Sequence, residues 1–225
     1  MHKLRSDHAD LAIVHTDTID WQPSPSPGVW RKRLELYGPA EAGRVTSVVR
    51  YDPGSSFRPH PHPDGEEILV LSGVFSDERG DHPAGTWLLN PEGFTHAPGS
   101  EPGCTLLVKL RQYGGEGRPQ VALNTRDPSR WRAHAVEGVR TLTLYEQAGF
   151  PETTRLTRIA PGAVIPPQVF PGGEEIFVLE GAFSDEHGDY REGSWVRYPP
   201  GSGHTPRTET GCLLFVKKDH LMGGD

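Results

Sequence analysis

Several features that mark other classes of protein are scarce in this chain of 225 residues. Cysteine occurs only at Cys104 and Cys212, too few for a disulfide scaffold, and each precedes an apolar run, so we expect two reduced, buried thiols. Lysine and arginine number 23 against 30 acidic residues, which gives a net charge of −7, and they form no cluster. Nucleic acid is therefore not expected as a partner.

Long apolar runs are also missing. The run at residues 68–71 is far shorter than the roughly 20 residues that a membrane helix requires. The N-terminal sequence MHKLRSDHADLAIVHT carries Asp and His where a signal peptide would have an apolar stretch. We therefore expect a cytoplasmic protein with no membrane partner.

Glycine and proline, by contrast, are abundant. The chain contains 27 Gly and 22 Pro, which disfavour helices and favour turns, and no long segment keeps a 3.6-residue apolar stripe. Short apolar or β-branched runs lie between clusters of Gly, Pro, Asp and Ser; in the first half they are residues 45–51, 66–71, 85–89 and 105–110. This pattern is typical of an antiparallel sandwich or barrel, and it predicts an all-β fold.

The second half of the chain repeats the first at an offset of 108 residues. GEEILVLSGVFSDERGD at 65–81 matches GEEIFVLEGAFSDEHGD at 173–189, and the register continues without a gap as far as Cys104 and Cys212. Solenoid and propeller units recur every 20 to 50 residues or so, so a period this long indicates a duplicated domain.

A Gly- and Pro-rich stretch at 114–119 separates the repeats and is typical of a linker. We therefore expect two domains, 1–113 and 118–225. The repeated SDE-x-GD segments are predicted to be hairpin turns, because Asp and Gly favour turns. We also expect Trp87 and Trp195 to be core residues.

The segment HPHPDGEE at residues 60–67 carries a distinctive polar pattern. A residue before proline is extended, and residues two apart in an extended chain point to the same side, so His60 and His62 should share one face. After the Asp-Gly turn, alternation favours Glu66 over Glu67 on that face. The later segment PEGFTH delivers His96 at a second turn.

Three imidazoles and one carboxylate suit a divalent transition metal. The candidate ligands are His60, His62, Glu66 and His96, and ligand type alone leaves zinc, iron, manganese, nickel and copper open. The remaining histidines lack partners at ligand spacing, and we expect them to be solvated: His2, His8, His15, His82, His134, His187 and His220.

The spacings G54-x5-H60-x-H62-x3-E66-x6-G73 and G85-x5-P91-x-G93-x2-H96 resemble the two motifs of the cupins, small jelly-roll β-barrels. One departure is Ser100, where the second motif usually ends in Asn. In both halves GEE-I-x-VL-x-G-x-FSDE-x-GD closely resembles the cupin domain of ChrR-like proteins, a group named after an anti-sigma factor. The resemblance covers 45–112 and 153–218 and implies two tandem cupin barrels, the first holding one metal between the four ligands.

The second repeat departs from the ligand pattern. Gln168 and Phe170 stand where the first repeat has its paired histidines, while Glu174 and His204 are kept. Phenylalanine cannot ligate a metal, so we predict a degenerate site in which Phe170 fills the barrel and Glu174 hydrogen-bonds His204. A pocket for a ligand other than a metal is the alternative.

Two functions remain open on the sequence. One is a metal-dependent, dioxygenase-like enzyme that acts on a small chelating carbonyl compound, since similar cupins include iron dioxygenases. The other is a zinc-binding sensor or regulatory cupin of a stress response, as the ChrR resemblance implies. The first cupin begins almost at the N-terminus, without a sigma-binding helical domain, so a sigma factor is not expected as a direct partner. We favour the enzyme, with a small-molecule ligand, and a homodimer stays open.

Overall fold

The structure, a computed structural model, describes residues 2–221, and its regular secondary structure is almost entirely β-strand. Two short 3-10 helices occupy Thr16–Thr18 and Pro128–Arg130. The strands are β1 (His2–Leu4), β2 (Ala12–His15), β3 (Gln22–Pro23), β4 (Val29–Gly38), β5 (Arg44–Tyr51), β6 (Ser55–Ser56), β7 (His60–His62), β8 (Glu66–Asp77), β9 (Gly80–Pro83), β10 (Thr86–Asn90), β11 (Phe94–His96), β12 (Gly99–Ser100), β13 (Cys104–Leu110), β14 (Val121–Asn124), β15 (Arg132–Ala133), β16 (Val139–Tyr145), β17 (Thr153–Ile159), β18 (Gln168–Phe170), β19 (Glu174–Ser184), β20 (Asp189–Arg191), β21 (Ser194–Tyr198), β22 (Ser202–His204) and β23 (Cys212–Lys218).

The chain forms two compact units, and each is a jelly-roll β-barrel, which confirms the predicted all-β fold. The described residues of the first unit are 2–6 and 19–126, and those of the second are 7–18 and 127–221. The grouping differs from the expected division into 1–113 and 118–225 at two segments. Strand β2 pairs with β21 of the second unit, and β14 pairs with β10 of the first.

The main sheet of the first unit is antiparallel, with the strand order β1-β4-β5-β13-β8-β10-β14. Strand β13 lies between β5 and β8, and its register runs from Cys104 opposite Tyr51 to Leu110 opposite Val45. Strand β8 extends to Asp77, well beyond the predicted run at 66–71, because it also forms the hairpin with β9. A separate two-stranded ribbon joins β7 to β11.

The second unit repeats this arrangement, with the strand order β15-β16-β17-β23-β19-β21-β2. Its two-stranded ribbon joins β18 to β22. Within residues 2–221, no helix combines the length and apolar character needed to cross a lipid bilayer.

The core of each barrel confirms several predictions. Trp87 and Trp195 are fully buried, and their indole N–H groups donate to Glu67 and Glu175 at 2.8 and 2.6 Å. Such a partner is what a buried indole requires. The cysteines are both free and buried among apolar neighbours, as expected.

A tight turn at Asp64 and Gly65 sets the start of β8. Both residues have left-handed backbone conformations, with φ of 58° and 74°. A Cβ on Gly65 would lie 2.9 Å from the Cβ of Tyr113 and 3.0 Å from the carbonyl oxygen of Asn90, so only glycine fits there. The turn confirms the prediction from Asp-Gly, and it fixes which way Glu66 faces.

Candidate metal centre

The ribbon of β7 and β11 carries the three candidate histidines of the first unit. The strands are antiparallel, with His60 opposite His96 and His62 opposite Phe94. His60 and His62 are two residues apart in an extended strand and therefore point to the same side, as the flanking prolines predicted. His96 faces His60 across the ribbon, so the three rings share one face.

The side chains converge closely. One ligand atom from each of His60, His62 and His96 can be chosen so that all lie within 4.8 Å of one another. The Nε2 atoms of His62 and His96 are 2.9 Å apart, and Glu66 Oε2 lies 3.6 Å from the first and 3.4 Å from the second. Two ring nitrogens this close need a proton or a cation between them, and the donor set of nitrogens and one carboxylate suits a divalent transition metal.

Two of the rings are oriented through their other nitrogen. His60 Nδ1 lies 2.9 Å from the carbonyl oxygen of Arg58, and His96 Nδ1 lies 3.4 Å from Asp77 Oδ2. Both partners are acceptors, so each Nδ1 carries the proton and donates. The Nε2 lone pairs of His60 and His96 are then free to ligate, which is the usual arrangement around a metal-binding histidine.

Glu66 is held in place by an amide. Asn90 Nδ2 donates to Glu66 Oε2 at 2.9 Å, and Arg79 Nη2 donates to Asn90 Oδ1 at 3.0 Å. Glu67, the next residue, faces away and accepts from Trp87. Alternation therefore identified the correct carboxylate, whereas Asn90 and Arg79 were not foreseen from the sequence.

Asp77 connects several of these groups. Its buried carboxylate accepts from Arg79 Nη2 at 2.6 Å and His82 Nε2 at 3.2 Å, besides His96. Burial alone would raise the pKa of Asp77, but the hydrogen bonds from Arg79 and His82 outweigh it and hold the pKa well below its usual range. The predicted hairpin is present, since Asp77 pairs with Gly80, yet the prediction missed that its first carboxylate faces the histidines.

The prediction of solvated histidines needs correction at two positions. His82 is only 7% exposed and contacts Asp77, and the side chain of His220 is 4% exposed with Nε2 3.2 Å from Glu175 Oε2. His82 meets Asp77 across the β8–β9 hairpin, and His220 meets Glu175 from a strand 45 residues away in sequence.

The surroundings of His62 and His96 favour neutral imidazoles. Burial lowers the pKa of His62 to about 4, with help from the nearby charges of His60 and Arg111. Burial also lowers the pKa of His96, and it raises that of Glu66. Neutral rings keep the lone pairs that ligation requires, and a cation beside Glu66 would favour its charged form.

A cavity of about 320 Å³ opens beside the cluster. His60, His62 and Glu66 line it, together with apolar side chains of the barrel such as Val49, Leu106 and Phe75. Two cationic side chains, Arg31 and Arg111, also line it. The candidate ligands thus face a space large enough for a small organic molecule.

The second unit keeps the same backbone frame with other side chains. Gln168 lies opposite His204, as His60 lies opposite His96, and Gln168 Nε2 donates to the carbonyl oxygen of Pro166 at 2.9 Å. Phe170 is 1% exposed and packs against the rings of His204 and Tyr198, at centroid distances of 5.2 and 5.7 Å. Phe170 therefore fills the barrel interior, as predicted.

A lysine joins the remaining pair of this second site. Lys218 Nζ lies 3.0 Å from Glu174 Oε1 and 4.8 Å from the centroid of the Phe170 ring. His204 Nε2 lies 3.4 Å from Glu174 Oε2. The predicted hydrogen bond between them is absent, and Glu174 Oε2 has no hydrogen-bond partner within residues 2–221. Glu174 instead forms an ion pair with the ammonium group of Lys218, a residue that the sequence did not indicate as part of the site.

Asp185 takes the position of Asp77 in the second unit. It contacts His204 Nδ1 at 2.8 Å and accepts from the hydroxyls of Tyr190, at 3.1 Å, and Tyr198. Although burial opposes the shift, the hydrogen bonds from His204 and Tyr198 lower the pKa of Asp185 to about 2. The aspartate that orients the retained histidine is thus common to both barrels.

In a comparison with known protein families, the same family model matches both halves of the chain. The family model described as the ChrR cupin-like domain matches residues 9–114 and again residues 119–222. None of the curated protein sequences compared with the chain matches it.

Solved structures of low sequence identity share the fold. A candidate dioxygenase from Nostoc punctiforme superposes with a TM-score of 0.78 at 16% identity, over 96% of this chain and 85% of that one. The protein YlbA of Escherichia coli gives a TM-score of 0.71 at 16% identity, over 97% and 95%. A deletion mutant of Bacillus subtilis oxalate decarboxylase gives 0.63 at 13%, over 92% and 76%. At these identities the likeness establishes the fold alone.

Proposed function

Because the chain belongs to the family of ChrR cupin-like domains, we propose that its first barrel is a metal centre with catalytic function. The proposed activity is that of a metal-dependent, dioxygenase-like enzyme acting on a small chelating carbonyl compound, such as a β-diketone. The observation that carries this proposal is the cavity of about 320 Å³ lined by His60, His62 and Glu66. A purely structural metal site needs no such space.

His60, His62, Glu66 and His96 would hold one divalent transition metal. When bound, such an ion supplies Lewis-acid or redox chemistry. The residues around it position these side chains: the Arg58 carbonyl and Asp77 fix two rings, and Asn90 fixes Glu66. A preorganised donor set loses little free energy in reorganisation when the ion or the substrate arrives.

The walls of the cavity suit a small anionic or enolisable substrate. Apolar side chains, among them valine, leucine, isoleucine and phenylalanine, line much of its interior and exclude water from the reacting groups. Arg31 and Arg111 also line the cavity, but Arg31 is paired at 2.8 Å with Glu41, which lines it too. Arg111 is therefore the group that favours a carbonyl compound that binds as its enolate or carries a carboxylate. Among the structural neighbours, one is described as a candidate dioxygenase and another is an oxalate decarboxylase.

Oxygen consumption tests the proposal. Protein loaded separately with Fe²⁺, Mn²⁺ or Zn²⁺ is mixed with a panel of β-diketones and hydroxyketones, and O₂ uptake is followed with substrate loss. We expect at least one redox-active metal to support uptake in which the atoms of labelled O₂ appear in the cleaved products. The matched control is His62→Phe, which introduces the residue found at the same position in the second barrel and should abolish uptake.

The zinc-binding regulatory cupin is the second candidate, and the number of ligands favours it. Three histidines and one glutamate provide the four donors of a closed zinc site. Absence of O₂ uptake for every metal and compound, together with four-coordinate zinc lacking a solvent ligand in X-ray absorption, would overturn the enzyme proposal. That result would support the regulatory function.

A further inference from the structure

The interior of the second barrel contains a small cavity of about 70 Å³, whose lining combines apolar side chains such as Leu214 and Val216 with several polar ones. Arg155, Thr157, Gln168, Glu174 and Lys218 line it, and His204 does so as well. Arg155 and Thr157 point inward because they lie on the same face of β17 as Ile159, which belongs to the apolar core. A volume of this size holds several water molecules or one small organic molecule.

Several polar atoms in this cavity have no hydrogen-bond partner in the described part of the chain. They are Arg155 Nε, Thr157 Oγ1 and Glu174 Oε2. Thr157 is 8% exposed and Glu174 is 3% exposed, so neither side chain is freely solvated. A buried donor or acceptor left unpaired is destabilising, and such groups in a common cavity point to a bound polar partner.

The first barrel has different residues at the same positions of the repeat. At the offset of 108 residues, Ser47, Val49 and Leu110 are replaced by Arg155, Thr157 and Lys218. The second barrel has therefore lost two histidines, and its cationic side chains lie at other positions than in the first barrel, where Arg31 and Arg111 correspond to Val139 and Asp219. These changes convert a metal-ligand set into a cluster suited to an anion.

We propose that the second barrel binds a small hydroxycarboxylate, of the size of glycolate or lactate, without a metal. Arg155 and Lys218 supply two positive charges against the single carboxylate of Glu174, and a monoanion balances the excess. The carboxylate of the ligand accepts from Arg155 Nε and the Thr157 hydroxyl. Its hydroxyl group donates to Glu174 Oε2, an acceptor that a simple carboxylate would leave unpaired.

Calorimetric titration with glycolate tests this site. We expect one glycolate per chain, and binding weaker by about tenfold or more for acetate, which lacks the hydroxyl, and for glycolamide, which lacks the charge. Lys218→Leu introduces the residue of the first barrel and should weaken glycolate binding by about tenfold or more. Arg155→Ser, again the first-barrel residue, should do the same and serves as a second variant if the first does not fold.

The control variant separates this site from the proposed metal centre. His60→Gln with His62→Phe copies the second-barrel residues into the first barrel, so a carboxylate can no longer bind there through a metal. Glycolate binding should be unchanged in this variant. Three results would overturn the proposal: no binding to the unmodified protein, equal binding of glycolamide, or binding lost in the control variant and retained in Lys218→Leu.

Discussion

Replacing Asp77 by asparagine isolates the role of a residue that touches a candidate ligand without being one. The carboxylate is fully buried and contacts His96 Nδ1 at 3.4 Å, Arg79 Nη2 at 2.6 Å and His82 Nε2 at 3.2 Å. Asparagine preserves the volume, but it removes the negative charge and turns an acceptor oxygen into a donor. At least one of the three partners then faces an NH₂ group.

The expected loss follows from the geometry. Removing the partner of a metal-bound histidine typically lowers metal affinity by about 10–100-fold, which corresponds to about 1.4–2.7 kcal/mol. The Nδ1 to Oδ2 distance of 3.4 Å is long for a charge-assisted hydrogen bond. We therefore expect a loss near the lower limit, about tenfold, for Asp77→Asn.

Competition against a chromophoric chelator, with Zn²⁺ and with Co²⁺, measures this change. Asp185→Asn is the matched control, because Asp185 contacts His204 in the second barrel at 2.8 Å. It should leave metal affinity unaltered, since the proposed ion binds in the first barrel. Unchanged metal affinity in Asp77→Asn, or an equal loss in both variants, would show that Asp77 does not support the metal ligand His96.

Further predictions concern the second barrel. Gln168→His with Phe170→His and Lys218→Leu should restore a ligand set, and metal content by mass spectrometry should rise from one to two ions per chain. Because the folded pKa of Asp185 is about 2, below the ordinary value of 3.8, its stabilisation is present above that value and is lost as pH falls toward 2. As the pH falls toward 2, the free energy of unfolding in urea should therefore decrease less for Asp185→Asn than for the unmodified protein. Burial raises the pKa of Cys212 to about 11, so this thiol should react with alkylating reagents only after unfolding.

The sequence was sufficient for the fold and for the grouping of the candidate ligands. Proline after each of His60 and His62 fixes extended backbone, and the Asp-Gly turn then fixes the direction of Glu66. These are local constraints, so they can be inferred without knowing which strands pair. The two barrels could be predicted from the internal repeat, because finding a repeat needs only a comparison of the sequence with itself.

The features that were missed depend on contacts between distant strands. Asp77, Arg79 and Asn90 lie on strand ends and a turn, where their residue types are common for local reasons. Lys218 is the second of two lysines at the end of β23, a position typical of an exposed strand end. Strand β23 pairs with β19, however, and this pairing brings the ammonium group of Lys218 to Glu174. Strand β2 joins the second barrel rather than the first, which no pattern within the repeat indicates.

We expect one transition metal to bind in the first barrel and none in the second. The decisive experiment is a crystal structure of protein reconstituted with Zn²⁺ or Mn²⁺, with anomalous data at the metal edge. One strong anomalous peak per chain should lie within bonding distance of His60, His62, Glu66 and His96. A peak at Glu174 and His204, or no peak at the four predicted ligands, would contradict this expectation.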